Sequence, residues 1–198
     1  MTLLPDPRKD QKMIDDTKGD NGALGLVDLQ PIGECLVLRD VMAQPGVDTV
    51  EGTLVPLLSG GAIRSHLIVM HPGQYCDAHP HDSESIIYTI SGRWVFATTE
   101  GGESVRTVIN QGDLFHFPAG VPTGFETPFD EAAVILILKG GASSYEEMAA
   151  GMIEARDVLA EEAASGTPFV YRDLSADHPA RLYATRVAGR DPAGWEPT

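Results

Sequence analysis

The strongest constraint on the fold is a repeated unit, a short β-prone run closed by a turn rich in glycine or proline. From Cys35 onward these runs are Cys35 to Arg39, Thr49 to Leu58, Ile63 to Met70, Ser85 to Ile90, Trp94 to Thr99, Ser104 to Ile109, Asp113 to Phe117 and Ala132 to Leu138. Between them lie Ser59-Gly60-Gly61, His71-Pro72-Gly73, Ser91-Gly92, Glu100-Gly101-Gly102, Gln111-Gly112-Asp113 and Pro118-Ala119-Gly120. Each supplies the positive φ or fixed φ that a tight reversal needs. Short strands at this spacing predict an all-β sandwich or barrel.

The flanks differ in character. A chain of 198 residues suits one domain with extensions. Residues 1–30 read as a flexible arm, polar and interrupted by Pro5, Pro7, Gly19 and Gly22. The barrel is expected over residues 31–142. Residues 143–198 should be a helical extension, because Ser143 or Ser144 followed by Glu146 or Glu147 forms a capping-box pattern. Met148, Met152, Ala155, Leu159 and Ala163 then make one apolar stripe, ending before Gly166-Thr167-Pro168. The helix is expected on the barrel or on a second subunit, and the segment from Phe169 to Thr198 reads as an irregular tail.

Composition narrows the function classes. A formal net charge of −15, with no clustered Lys or Arg, argues against nucleic acid as a partner. The longest apolar runs, such as Ala132 to Leu138, fall far short of the roughly 20 residues of a membrane-spanning helix. With two cysteines, Cys35 and Cys76, and no N-terminal signal pattern, a reducing cytoplasmic setting is expected.

The chemistry concentrates in Gly73-Gln74-Tyr75-Cys76-Asp77-Ala78-His79-Pro80-His81, followed by Asp82-Ser83-Glu84-Ser85 and a β-run closed by Gly92. Histidines one residue apart on an extended strand point to the same face, so both imidazoles can reach one ion or ligand. Other histidines carry less. His66 and His71 flank an apolar run, where a strand-end histidine is expected to be a hydrogen-bonded surface group rather than a ligand, and His178 lies in the unassigned tail.

In this segment the chain resembles the cupin family, whose first motif is Gly, five residues, His-x-His, three or four residues, Glu, six residues, Gly. Gly73, His79, His81 and Gly92 fall in register, and Gly112, Pro118 and Gly120 match the second motif, Gly, five residues, Pro-x-Gly, two residues, His. The resemblance covers about residues 31–142. It implies a jelly roll, or double-stranded β-helix, commonly a homodimer, with one divalent transition metal (Fe, Mn, Ni or Zn). The family's ligand Glu falls at Ser85 and its last ligand His at Thr123, so two of four usual ligands are replaced by hydroxyls.

Two residues are weak candidates for a third ligand. Glu84 falls on the face opposite His79 and His81 unless a bulge intervenes. His116, two residues before Pro118, could supply a nitrogen from across the pocket, or contact substrate. Ser85, Thr123 and Phe125 are expected to touch substrate, whereas Tyr88 should face away. Tyr75, Trp94, Phe115 and Phe117 are expected to fill the barrel. Three functions stay open: a metal-dependent enzyme, dioxygenase-like, centred on His79 and His81; a metal-free isomerase, epimerase or lyase using them for proton transfer; and a non-catalytic sensor of a small molecule. Unneutralised imidazoles favour a carboxylate-bearing substrate.

Overall fold

A computed structural model describes residues 24–195 and has the expected all-β barrel at its centre. Its strands are β1 (Leu29–Ile32), β2 (Cys35–Leu38), β3 (Val47–Thr49), β4 (Gly52–Ser59), β5 (Ile63–Met70), β6 (His79–Pro80), β7 (Ser85–Ser91), β8 (Arg93–Glu100), β9 (Glu103–Asn110), β10 (Leu114–Phe117), β11 (Pro122–Glu126) and β12 (Ala133–Gly140). Two helices follow, α1 (Tyr145–Ala164) and α2 (Pro179–Ala188). A six-stranded sheet, ordered β10-β7-β12-β5-β4-β3, faces a four-stranded sheet, β6-β11-β8-β9, while β1 and β2 form a separate hairpin.

Alternation sets the inner face. On β7, Ser85, Ile87 and Thr89 are buried, while Ile86 and Tyr88 between them are exposed. The same parity turns Ile68 and Met70 of β5 and Ala133, Ile135 and Ile137 of β12 inward, against Trp94, Phe96 and Phe117. Offset and edge-on ring contacts knit this core, with Trp94 stacked on Phe125 at 5.3 Å and Phe96 tilted on Phe115 at 4.4 Å between centroids. The outer parity of the six-stranded sheet carries Leu67 and Leu136, which pack with Val55 and Leu57 and with Leu38 from the hairpin.

Helix α1 begins where the capping box predicted. Ser144 Oγ accepts from the Glu147 amide at 3.1 Å, and the Glu147 carboxylate accepts from the Ser144 amide at 2.8 Å. The helix lies against β3 and β4, burying Met148, Ala149 and Met152 beside Val47. The later stripe residues Ala155, Leu159 and Ala163 are only half-buried, so its first half carries most of the packing.

Two readings of the flanks require correction. Of the arm assigned to residues 1–30, residues 1–23 lie outside the described residues, but the rest is structured. Leu24 packs against the α1 cluster, the Val27 amide donates to Gln44 Oε1 at 2.8 Å, and β1 starts at Leu29. The tail, read as irregular, contains α2. Its N-cap is His178, whose Nδ1 accepts from the Ala180 amide at 3.2 Å, with Pro179 in the first turn and Gly189 closing the helix at φ 75°. Ala180 and Ala184 face Tyr75, Tyr171 and Leu174 in a second small core.

That core fixes the strand leading to the histidines. The Tyr75 amide donates to Phe169 O at 2.9 Å and the Tyr171 amide to Gly73 O at 3.0 Å, so the tail pairs with residues 73–75. On the other side this strand presses on β11. A Cβ added at Gly124 would stand 2.6 Å from Cys76 O, so only glycine permits the approach.

Candidate functional site

The histidine strand β6 is two residues long and pairs with β11, placing Thr123 opposite His79. The His79 and His81 rings lie 4.6 Å apart, and His81 also meets Phe117 at 5.4 Å and Phe125 at 6.3 Å. Phe117 stands opposite Ser85 in the register of β10 with β7. His79, His81, Ser85, Thr123 and Phe125 are therefore gathered around one end of the barrel interior.

The polar groups there are prepared for a partner. His79 Nδ1 lies 3.0 Å from Asp77 O, and because a carbonyl can only accept, Nδ1 carries the proton and Nε2 its lone pair. Among the described residues, His81 Nε2 and Thr123 Oγ1 are buried with no hydrogen-bond partner. Such groups cost of order 1–3 kcal/mol each unless something binds them. Burial, with the neighbouring His79 and Lys139 adding to it, pushes the His81 imidazole down to about 4, so it is neutral at ordinary pH.

The two proposed third ligands are placed elsewhere, and both assignments are corrected. Glu84 and His116 meet outside the barrel, Oε2 to Nε2 at 3.4 Å, with their side chains 71% and 54% exposed. Parity is the reason. His116 pairs with Ile86, an outward position of β7, and Glu84 is adjacent to the inward Ser85. His116 is thereby removed from substrate contact as well. Tyr88 faces outward as expected, 43% exposed.

Two side chains that the sequence reading passed over stand behind His79. The Cys76 thiol donates to Glu51 Oε1 at 3.0 Å and lies 3.7 Å from His79 Nδ1. Glu51, Cys76 and His79 thus offer ligand atoms within 4.8 Å of one another. Burial and the Glu51 carboxylate push the Cys76 thiol well up, so in this arrangement it is a protonated donor. Glu51 and Cys76 also line a cavity of about 30 Å³ with Ile68, Met70, Gln74 and Phe125. Cys76 was legible only as a neighbour of the histidine motif, and Glu51 arrives from the β3–β4 turn, with no local signal. Cys35 is exposed and Cys76 buried, both as free thiols.

Comparison with known proteins agrees with this architecture. A family model described as "Cupin domain" matches residues 66–139. No curated protein matches the chain. Among solved structures, it is similar to an RmlC-like cupin from Shewanella frigidimarina at 19% identity, covering 46% of this chain and 76% of that one, with a TM-score of 0.39. An oxalate decarboxylase mutant from Bacillus subtilis matches at 21% identity over 49% of this chain and 27% of that one, TM-score 0.44. DMSP lyase DddQ from Ruegeria pomeroyi matches at 27% identity over 41% and 40%, TM-score 0.36. The chain thus spans well under half the length of the last two. Among the described residues no helix is long and apolar enough to cross a membrane.

Proposed function

We propose, from the match of residues 66–139 to a cupin-domain model, a small-molecule enzyme whose His79–His81 pocket holds a divalent transition metal and acts on a small carboxylate-bearing substrate. The observation carrying this reading is the buried, unpartnered His81 Nε2 beside a His79 whose Nδ1–H is held by Asp77 O. Two imidazole nitrogens with free lone pairs give two of the three or four donors that an ion such as Fe, Mn, Ni or Zn generally takes, so substrate or water would complete its shell. An ion bound there supplies a Lewis acid or an oxygen-activating centre.

The chain's own residues have distinct tasks in this reading. Asp77 orients His79 through its carbonyl, as outer groups orient metal-binding imidazoles generally. Thr123 and Ser85, both buried, offer hydroxyls to a bound acid where the related motif would offer a carboxylate and an imidazole. Phe117 and Phe125 flank His81 and keep water from its far side.

A metal-free isomerase or lyase is the second reading, favoured by the unpartnered His81 Nε2 and Thr123 Oγ1, which leave polar groups free to exchange a proton with a bound substrate. Turnover of a panel of short carboxylic acids, followed by mass spectrometry and oxygen consumption, separates the two. The proposal expects activity that chelator abolishes and added metal restores, with His79→Ala and His81→Ala each at least 100-fold slower. Chelator-insensitive turnover would support the metal-free enzyme. Ligand binding without turnover would instead mean a sensor.

A further inference from the structure

Reading the inner face of the six-stranded sheet across its strands exposes a row that the family motifs do not contain. Lys139 of β12 pairs with Arg64 of β5 on one side and with Ser85 of β7 on the other, and Ser85 pairs with Phe117 of β10. Parity aims all four into the barrel, because Arg64 alternates in step with Ile68 and Met70, and Lys139 with Ile135 and Ile137. His66 lies one row further in, opposite Ile137.

The geometry points to Arg64 and Lys139 as an anchor for a substrate carboxylate, set beside the His79–His81 centre. Two cations on neighbouring strands repel, and among the described residues neither has an acidic partner within 4.0 Å. Asp82, at the exposed rim, is the acidic group whose field reaches Lys139. Burial and Arg64 both push the Lys139 ammonium down from its ordinary value, the strain expected of a cation held in place for an anion. The row reaches the centre directly, since Phe117 at its end touches His81. Adjacent strands stand about 4.8 Å apart, so only a short acid can span from Lys139 across Ser85 to the imidazoles. A planar carboxylate suits the guanidinium fork of Arg64, with the ammonium of Lys139 as a second donor.

This inference rests on the enzyme reading above but can fail separately from it. Malonate is the probe, with malonamide and inorganic phosphate as controls, measured by calorimetry on the full chain before and after chelation. The proposal expects malonate to bind in both states and malonamide in neither. Lys139→Met and Arg64→Met should each weaken malonate binding at least tenfold while leaving metal content unchanged and the unliganded melting temperature no lower. Malonate binding that persists in both variants, absent binding, or preference for phosphate would overturn it. A wild-type chain that binds malonate through Lys139 but no metal would leave the anchor standing and remove the metal.

Discussion

Arg106→Met should destabilise the protein by about 3–5 kcal/mol, the usual cost of stripping one partner from a buried ion pair. Glu126 is fully enclosed, and its two oxygens are divided between Arg106 Nε at 2.9 Å and the Tyr171 hydroxyl at 2.7 Å. Burial pushes the Glu126 carboxyl up, against the pull of Arg106 and the Tyr171 bond, so losing the guanidinium leaves a carboxylate that must stay charged without a cation or take up a proton. The effect should reach the site. Tyr171 belongs to the tail that pairs with residues 73–75, and that strand runs on into Cys76 and His79. Urea unfolding measures the stability, and Tyr171→Phe should show a smaller loss, about 1.5–3 kcal/mol, because the ion pair survives.

Acid should weaken the fold through His66 before most carboxylates titrate. Burial, reinforced by Lys139 and Arg64, pushes this imidazole down to about 3 from 6.5. The unfolded chain therefore binds the extra proton first, and stability contributed by neutral His66 is whole above pH 6.5 and drains as pH falls toward 3. The loss amounts to about 2.5 kcal/mol by pH 4.5, from 1.36 kcal/mol per pH unit. Urea midpoints of wild type and His66→Gln across pH 7 to 4.5 check it. The wild type should fall more steeply, and parallel curves would show that His66 titrates near its ordinary value.

Sequence made the barrel legible because most reversals carry a glycine or proline and bound short β-prone runs, although clear alternation of burial is confined to strands such as Ser85 to Ser91. Strands β6 and β11 were missed for physical reasons. One is two residues long, and the other contains Pro122 and Gly124, a poor β-former chosen for its close approach to Cys76 O. Helix α2 escaped notice because its cap is a histidine and its buried contacts are alanines. At the site, the spacing of His79 and His81 anticipated that their rings would lie side by side, and parity already counted against Glu84. His116 was only a weak ligand candidate, and its outward position follows from its pairing with Ile86 on the neighbouring strand, which the local motif does not encode. Arg64 and Lys139 are brought beside Ser85 only through register between strands distant in sequence, and Glu51 reaches Cys76 from a turn, neither of which a local pattern encodes.

The central claim is that His79 and His81 hold one metal. Titration of the chelator-treated chain with cobalt(II), followed by elemental analysis and near-ultraviolet absorption, tests it most directly. The account predicts about one ion per chain, lost in His81→Ala and retained in Cys76→Ser, without a thiolate charge-transfer band. No binding would contradict it, as would a thiolate band that vanishes in Cys76→Ser and survives His81→Ala, which would put the ion on Glu51, Cys76 and His79 instead.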